Sequence, residues 1–391
     1  MTDPKPQTSA VRTQAPVTSH REHSVPIFAT SSFVFDDSEE MRAAFADEID
    51  RNIYSRFTNP NVAELAEKIR ILEGAEAGHA TATGMAAVFA TFGALLSAGD
   101  HLLCCRSIFG ATHTMLTKIL PRFGITHSYF DAGEPDSWDA LVQENTRLIF
   151  AETPTNPAVD LVDLERLGAL AAKRNLILAV DNAFSTPIHQ RPIEFGAHLV
   201  IHSATKFIDG QGRVMGGVVV GRADLVKKIF DFARTTGPAL SPFNAWILSK
   251  SVETLELRME KHSENAMLVA RWLEGQKGVA DVKYPFLPSH PQYEVAKRQM
   301  TGGGALLSFR LEGGLEHGKR FLDALEMCSL TANLGDTRTI ASHPASTTHA
   351  KLTEEERLAV AIAPGLVRIS VGLEDPADVI DDLRHALDRS A

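Results

Sequence analysis

The sequence predicts an α/β protein: a mostly parallel sheet with flanking helices, a smaller C-terminal α/β domain and an N-terminal arm. Short apolar runs ("HLLCC", "RLIFAE", "LILAVD", "HLVIHS" and "GGVVVG") alternate with helical stretches such as "DLERLGALAAKRN". Those runs are continuously hydrophobic rather than alternating, which marks strands covered on both faces, as in parallel sheets. Beyond "AWILSKSVETLELRMEKHSENAMLVARWLEGQ", which reads as one long helix, the alternation loosens and a second domain is expected.

Taken in order, residues 1–24 lack periodicity and read as part of an arm, 1–60, with no core of its own. "NVAELAEKIRILEG" has apolar residues at helical spacing and stops at Gly74. "TGMAAVFATFGALLSAGD" is a second, Ala-rich and largely buried helix ending near Gly99. The five strand-like runs follow, joined by helices that serve as right-handed crossovers, and complete a larger domain over 61–258. Residues 259–391 form the smaller domain, with strands "GALLSFRL" and "LVRISVGL" and helices such as "PADVIDDLRHALDRS".

Composition narrows the function. Of 391 residues, 44% are hydrophobic and 23% charged, the balance of a globular chain with a large core. The formal charge of −10 and the lack of a dense Lys/Arg patch argue against nucleic acid. Three cysteines, two of them adjacent in "HLLCC", read as core residues of a reducing compartment. No secretory signal is read in the polar N-terminus, and no run approaches the ~18 apolar residues that span a bilayer. A cytoplasmic protein with no membrane partner is expected.

In open α/β sheets ligands sit outside the carboxyl ends of the strands. After "LILAV" comes Asp181, after "LIFA" comes Glu152, and after "LVI" come His202, Ser203, Thr205 and Lys206. Most lysines sit in water, and Lys206 can be one of them. A buried lysine, however, sheds its charge readily and serves as a Schiff-base amine. If the chain stays extended, Ser203 and Thr205 face one way, toward a phosphate, and Lys206 the other. Asp181 either caps a turn or holds a cation such as a protonated pyridine nitrogen.

Gly84 and Met85 would open a helix, where free N–H groups attract anions; an ordinary N-cap by Thr81 or Thr83 is the plainer reading. Arg368 shares a strand face with Ser370, and is either solvated or a bidentate clamp for a carboxylate. "GQGRVMGG" has neither the spacing of a dinucleotide fingerprint nor the ending of a P-loop. Of 15 histidines, His198 and His202 fall in a strand, and His343 and His349 flank "PASTT" without companion ligands, so no metal site is expected.

Seven motifs then fall in the order of one family: "YSRFTNP" (54–60), "TGMAA" (83–87), "AETPTNP" (151–157), "VDNAF" (180–184), "SATKF" (203–207), "ASHPASTTH" (341–349) and "VRISVGLED" (367–375). Over residues 25–391 the chain resembles the pyridoxal-phosphate enzymes of cysteine and methionine metabolism, which include cystathionine γ-synthase and its relatives. The resemblance implies fold type I of the pyridoxal-phosphate-dependent transferases, with a mostly parallel seven-stranded sheet, and makes 61–258 the cofactor domain.

It also implies roles. Lys206 joins covalently to the cofactor's aldehyde, and Asp181 pairs with the pyridine nitrogen. Gly84, Met85, Ser203 and Thr205 hold the phosphate, while Phe109 stacks on the ring where many relatives carry tyrosine. Tyr54 and Arg56 reach the phosphate of a neighbouring subunit, which implies a homotetramer, a dimer of dimers with shared active sites, contacted by the arm. Asn156, Thr339 and Arg368 bind the substrate's carboxylate. Without the phenol at position 109, proton transfer would pass to Lys206, Tyr54 or water.

Within the family, "DGQGRVMGG" and "LGDTRTIASHPASTTH" look most like O-succinylhomoserine sulfhydrylases. The expected reaction is γ-replacement on O-succinylhomoserine by hydrosulfide, giving homocysteine and succinate for methionine biosynthesis. The alternatives are cystathionine synthesis or γ-elimination, O-acetylhomoserine as donor, and, more remotely, a non-catalytic pyridoxal-phosphate carrier.

Overall fold

The computed structural model describes residues 4–351, 353–359 and 361–391; the first three residues of the expected arm, and Leu352 and Val360 of the expected C-terminal domain, lie outside the described residues. The N-terminal segment holds two helices, α1 (Pro6–Arg12) and α2 (Ser38–Phe45). Residues 1–24, expected to have no core of their own, hold a helix that the sequence did not disclose: Ala10 joins the main core and α1 packs on α3 (Pro60–Glu73). Seven residues are too few for periodicity to announce a helix. Helix α3 starts behind an Asn59 cap and stops at Gly74, whose φ of 71° is left-handed, as the sequence predicts.

Seven strands make the larger sheet: β1 (Ala77–Thr81), β2 (His101–Cys105), β3 (Thr126–Phe130), β4 (Thr146–Glu152), β5 (Ile177–Asp181), β6 (Leu199–Ser203) and β7 (Gly217–Gly221), in the order β1-β7-β6-β5-β4-β2-β3. The pairs among β2 to β6 are parallel. "GGVVVG" departs from expectation: β7 is fully buried yet antiparallel to both β6 and β1. Continuous hydrophobicity reports burial on both faces, not direction, so this run looked like its neighbours. The two strands that the sequence did not disclose, β1 and β3, lie at the sheet's edges and are only partly buried.

Helix α4 (Gly84–Leu95) ends four residues before Gly99, because Leu96 is already extended. It is followed by α5 (Gly110–Thr114), α6 (Leu164–Arg174), α7 (Thr186–His189) and α8 (Ala223–Thr236). The stretch expected as one long helix is two, α9 (Pro242–Val252) and α10 (Leu255–Leu273). At the break the Ser251 carbonyl accepts from the Arg258 guanidinium at 2.9 Å, and the same guanidinium donates to the carbonyls of Phe207 (2.6 Å) and Ile208 (3.2 Å). The Ser251 carbonyl also accepts from the Thr254 N–H (3.2 Å), a tightened last turn, and Arg258 ties this helix end to the turn after β6. No Gly or Pro marks the break in the sequence.

A second sheet holds β8 (Val279–Lys283), β9 (Leu306–Leu311), β10 (Ser329–Leu330), β11 (Ile340–Ser342) and β12 (Leu366–Ser370), in the order β10-β11-β12-β9-β8. The expected boundary between 258 and 259 falls inside α10: Leu255 and Met259 belong to the first core, while Ala266, Val269 and Leu273 belong to the second. Among the described residues no helix is long and apolar enough to cross a membrane.

Candidate active site

Parallel pairing brings the carboxyl ends of β4, β5 and β6 to one edge, with Glu152 opposite Asp181 and Asp181 opposite Ile201. The cleft at that edge is lined by Gly84, Met85, Phe109, Glu152, Asn156, Asp181, Ser203, Lys206 and Arg368, among others. Eight of the twelve residues named from the sequence thus meet in one place, and Glu152 joins them.

Lys206 sits in a turn rather than an extended segment: its N–H donates to the Ser203 carbonyl and its carbonyl accepts from Gly210. This overturns the alternating arrangement. Ser203 lines the cleft together with Lys206, whereas the Thr205 hydroxyl donates to the Gly216 carbonyl (3.3 Å) and accepts from the Gly216 N–H (3.1 Å). The Lys206 Nζ donates to Asn333 Oδ1 at 2.6 Å. Burial and the neighbouring Arg368 charge, opposed by Asp181, lower its pKa to about 8. A useful fraction of the amine is therefore free near neutrality.

Asp181 Oδ1 accepts from the Ala183 N–H at 3.0 Å, and burial raises the carboxyl's pKa to about 6. A cation placed beside it would restore its charge. Arg368 is 5% exposed on a strand buried along its length, so the solvated reading fails. Its Nη1 donates to Asn156 Oδ1 (2.8 Å) and its Nη2 to the Asn333 carbonyl (3.0 Å), while Nε is buried without a partner. Burial lowers its pKa to about 10.

At the start of α4, the Thr83 hydroxyl accepts from the Ala86 N–H at 3.0 Å and its carbonyl from Ala87, which bears out the N-cap reading. The N–H groups of Gly84 and Met85 have no acceptor inside the helix. A Cβ on Gly84 would stand 2.7 Å from that of Ser203, so only glycine lets the helix begin against the end of β6. Two free N–H groups beside a hydroxyl suit a phosphate, a carboxylate suits a ring cation, and an amine suits an aldehyde. The donor set fits pyridoxal phosphate.

Besides Thr205, three expected residues lie apart from this chain's cleft. Tyr54 is 41% exposed and bridges Ser32; the Arg56 guanidinium lies over the Tyr54 and Phe57 rings and donates to the Arg234 carbonyl. Both were expected to serve a neighbouring subunit. Thr339 is fully buried, and its hydroxyl donates to Glu374 (2.9 Å) and accepts from the Gly372 N–H (2.9 Å), so it braces the segment after β12 instead of lining the cleft. Two polar residues that line the cleft or bond to its residues, Glu152 and Asn333, went unnamed as site residues. Glu152 carried a signal, as an acid ending a buried strand beside one ending in Asp181. Asn333 carried none. Among the described residues no group of three or more His, Cys, Asp or Glu side chains could hold a metal ion.

Comparison with known proteins points to the same cofactor. The family model described as Cys/Met metabolism PLP-dependent enzyme matches residues 7–388. An O-succinylhomoserine sulfhydrylase of Pseudomonas aeruginosa is 48% identical over 380 residues, 97% of this chain and 94% of that protein. An L-methionine γ-lyase of Porphyromonas gingivalis is 43% identical over 366 residues, 93% of this chain and 92% of its own. A solved Campylobacter jejuni structure, described as an O-acetylhomoserine (thiol)-lyase and carrying an N'-pyridoxyl-lysine-5'-monophosphate, superposes with a TM-score of 0.94 at 32% identity, covering 98% of this chain and 100% of its own.

Proposed function

Because the chain belongs to the Cys/Met metabolism family of PLP-dependent enzymes, we propose that it replaces the γ-substituent of O-succinylhomoserine with hydrosulfide, giving homocysteine and succinate. The convergence of Lys206, Asp181 and the Arg368–Asn156 pair in one cleft carries this reading, and the 48%-identical sulfhydrylase favours this acyl donor.

Pyridoxal phosphate, when bound, draws electrons from the substrate's α-carbon. Lys206 would hold it covalently, Asp181 would face its ring nitrogen, Phe109 would cover the ring, and Gly84, Met85 and Ser203 would grip its phosphate. Thr205 braces that grip from behind through Gly216. Tyr54 and Arg56 of a neighbouring subunit in a homotetramer complete the phosphate site. Arg368 and Asn156 orient the substrate's carboxylate, with the free Nε available as a further donor.

Lys206, released by the substrate's amine, takes the proton from Cα; its lowered pKa makes it a competent base near neutrality. A second proton leaves Cβ, the Cγ–O bond breaks with its electron pair on succinate, and hydrosulfide forms the Cγ–S bond. Protons then return to Cβ and Cα. With phenylalanine at 109, these transfers rest on Lys206, with Tyr54 as the second carrier.

The 43%-identical methionine γ-lyase supports a second reading in which the same site eliminates the γ-group. Steady-state assays of O-succinylhomoserine with sulfide, with cysteine and with neither separate the two, and a parallel set with O-acetylhomoserine tests the donor. Homocysteine formed faster than cystathionine or 2-oxobutanoate supports γ-replacement; the opposite order overturns it. A visible band that no amino acid perturbs would indicate a carrier without catalysis.

A further inference from the structure

We propose that Glu152 is a positioning residue that ties the ring-covering wall of the cleft to its carboxylate clamp, so that displacement of one is felt by the other. The proposal rests on the amino-acid site read above. Glu152 ends β4 opposite Asp181, lines the cleft and is 1% exposed. Its Oε2 accepts from the Phe109 N–H at 2.9 Å, and its Oε1 from the Asn156 N–H at 3.1 Å. The two donors belong to loops that follow different strands. One loop carries the Phe109 ring into the cleft wall; the other carries the amide whose Oδ1 accepts from Arg368 at 2.8 Å. A single carboxylate holds both loops, one on each oxygen.

The residue type is informative. Each of the two backbone donors meets a different oxygen; a carboxyl group presents two oxygens in that geometry, whereas a glutamine amide, turned either way, presents one oxygen and one NH2. A second acid beside Asp181 is electrostatically unfavourable, and burial with the Asp181 charge pushes the Glu152 carboxyl well above the usual carboxylate range. An uncharged side chain of the same length would avoid that penalty but would leave one N–H facing another. The two donors account for the acid.

The test is a double-mutant cycle on the pyridoxal-phosphate-loaded enzyme. Binding of L-norvaline, an amino acid with no γ leaving group, is read from the visible band for the parent, Phe109→Ala, Asn156→Ala and the double variant. The same four measurements are repeated in a Glu152→Ala background. In the parent the two substitutions are expected to be non-additive in Kd by about five-fold, within the range for residues that share a partner, and in Glu152→Ala additive to within about 1.5-fold. Equal coupling in both backgrounds overturns the proposal and leaves the amino-acid site standing. A band that norvaline does not move in the parent overturns both. Should circular dichroism show Glu152→Ala unfolded, the cycle is run in Glu152→Gln, which keeps one acceptor. Coupling is expected to fall about two-fold there, and unchanged coupling overturns the proposal.

Discussion

Two lysines enter the interior of this chain, Lys68 on α3 and Lys206 after β6, and their surroundings differ in kind. Lys68 is fully buried; its Nζ donates to Glu253 (3.2 Å) and the Ser249 carbonyl (3.3 Å) and is ion-paired with Glu64 (3.2 Å). It cross-links α3 to the end of α9. Lys206 donates to one neutral amide, Asn333, and faces the Arg368 guanidinium, with Asp181 as its attracting charge. Burial alone therefore says little about a lysine's role. The matching of partners separates a strut, whose charge is compensated, from the proposed nucleophile, whose proton is held loosely.

Substitutions can break that contrast, and the largest expected effect is on chemistry. Lys206→Ala should lower turnover by about 10³-fold or more and abolish the borohydride-trapped cofactor adduct, with an unchanged circular dichroism spectrum. An adduct that persists would place the covalent link on another lysine. Next is Lys68→Met, which leaves the buried Glu64 without a cation, while Glu253 keeps Lys250 at 2.9 Å: denaturant titration should register a loss of about 3–5 kcal/mol, with turnover of the folded fraction unaltered. A loss below about 1 kcal/mol would remove the strut.

Arg368→Ala should raise KM on the order of 30-fold while changing kcat less, since it removes a buried, hydrogen-bonded charge from its proposed binding role. An unchanged KM would refute the clamp. The smallest effect sharpens the comparison most. Lys206 binds its proton less tightly in the folded chain (about 8) than at the ordinary 10.5, so its charged form opposes folding below about pH 8 and ceases to do so as pH rises toward 10.5. Cofactor-free Lys206→Ala should therefore be more stable than its parent at pH 7, by about 1–3 kcal/mol, and lose that gain in alkali. Thermal melts across that range test the sign, which is opposite to that of Lys68→Met.

The parts of the fold that were legible are those where one stretch of chain reports its own surroundings. Continuous apolar runs disclosed β2, β4, β5, β6 and β7, and Gly74 disclosed the end of α3. The edge strands β1 and β3 gave no such report, because a half-covered strand mixes polar and apolar residues. The break between α9 and α10 was invisible because its cause, the reach of Arg258 to Phe207 and Ile208, lies some fifty positions away in the chain.

For the site, the sequence by itself determined the family and the placement of Asp181, Ser203 and Lys206 at strand ends, since strand position and residue type are local properties that any reader of the chain can recover. Only the tertiary structure decided which groups touch. Asn333 reaches Lys206 across 127 positions and Arg368 reaches Asn156 across 212, through backbone paths that no local pattern encodes. The turn that carries Thr205 away from the cleft is likewise set by Gly216 from a neighbouring segment. Partner identity is a property of packing, and packing fixes how tightly each of these charges holds its proton.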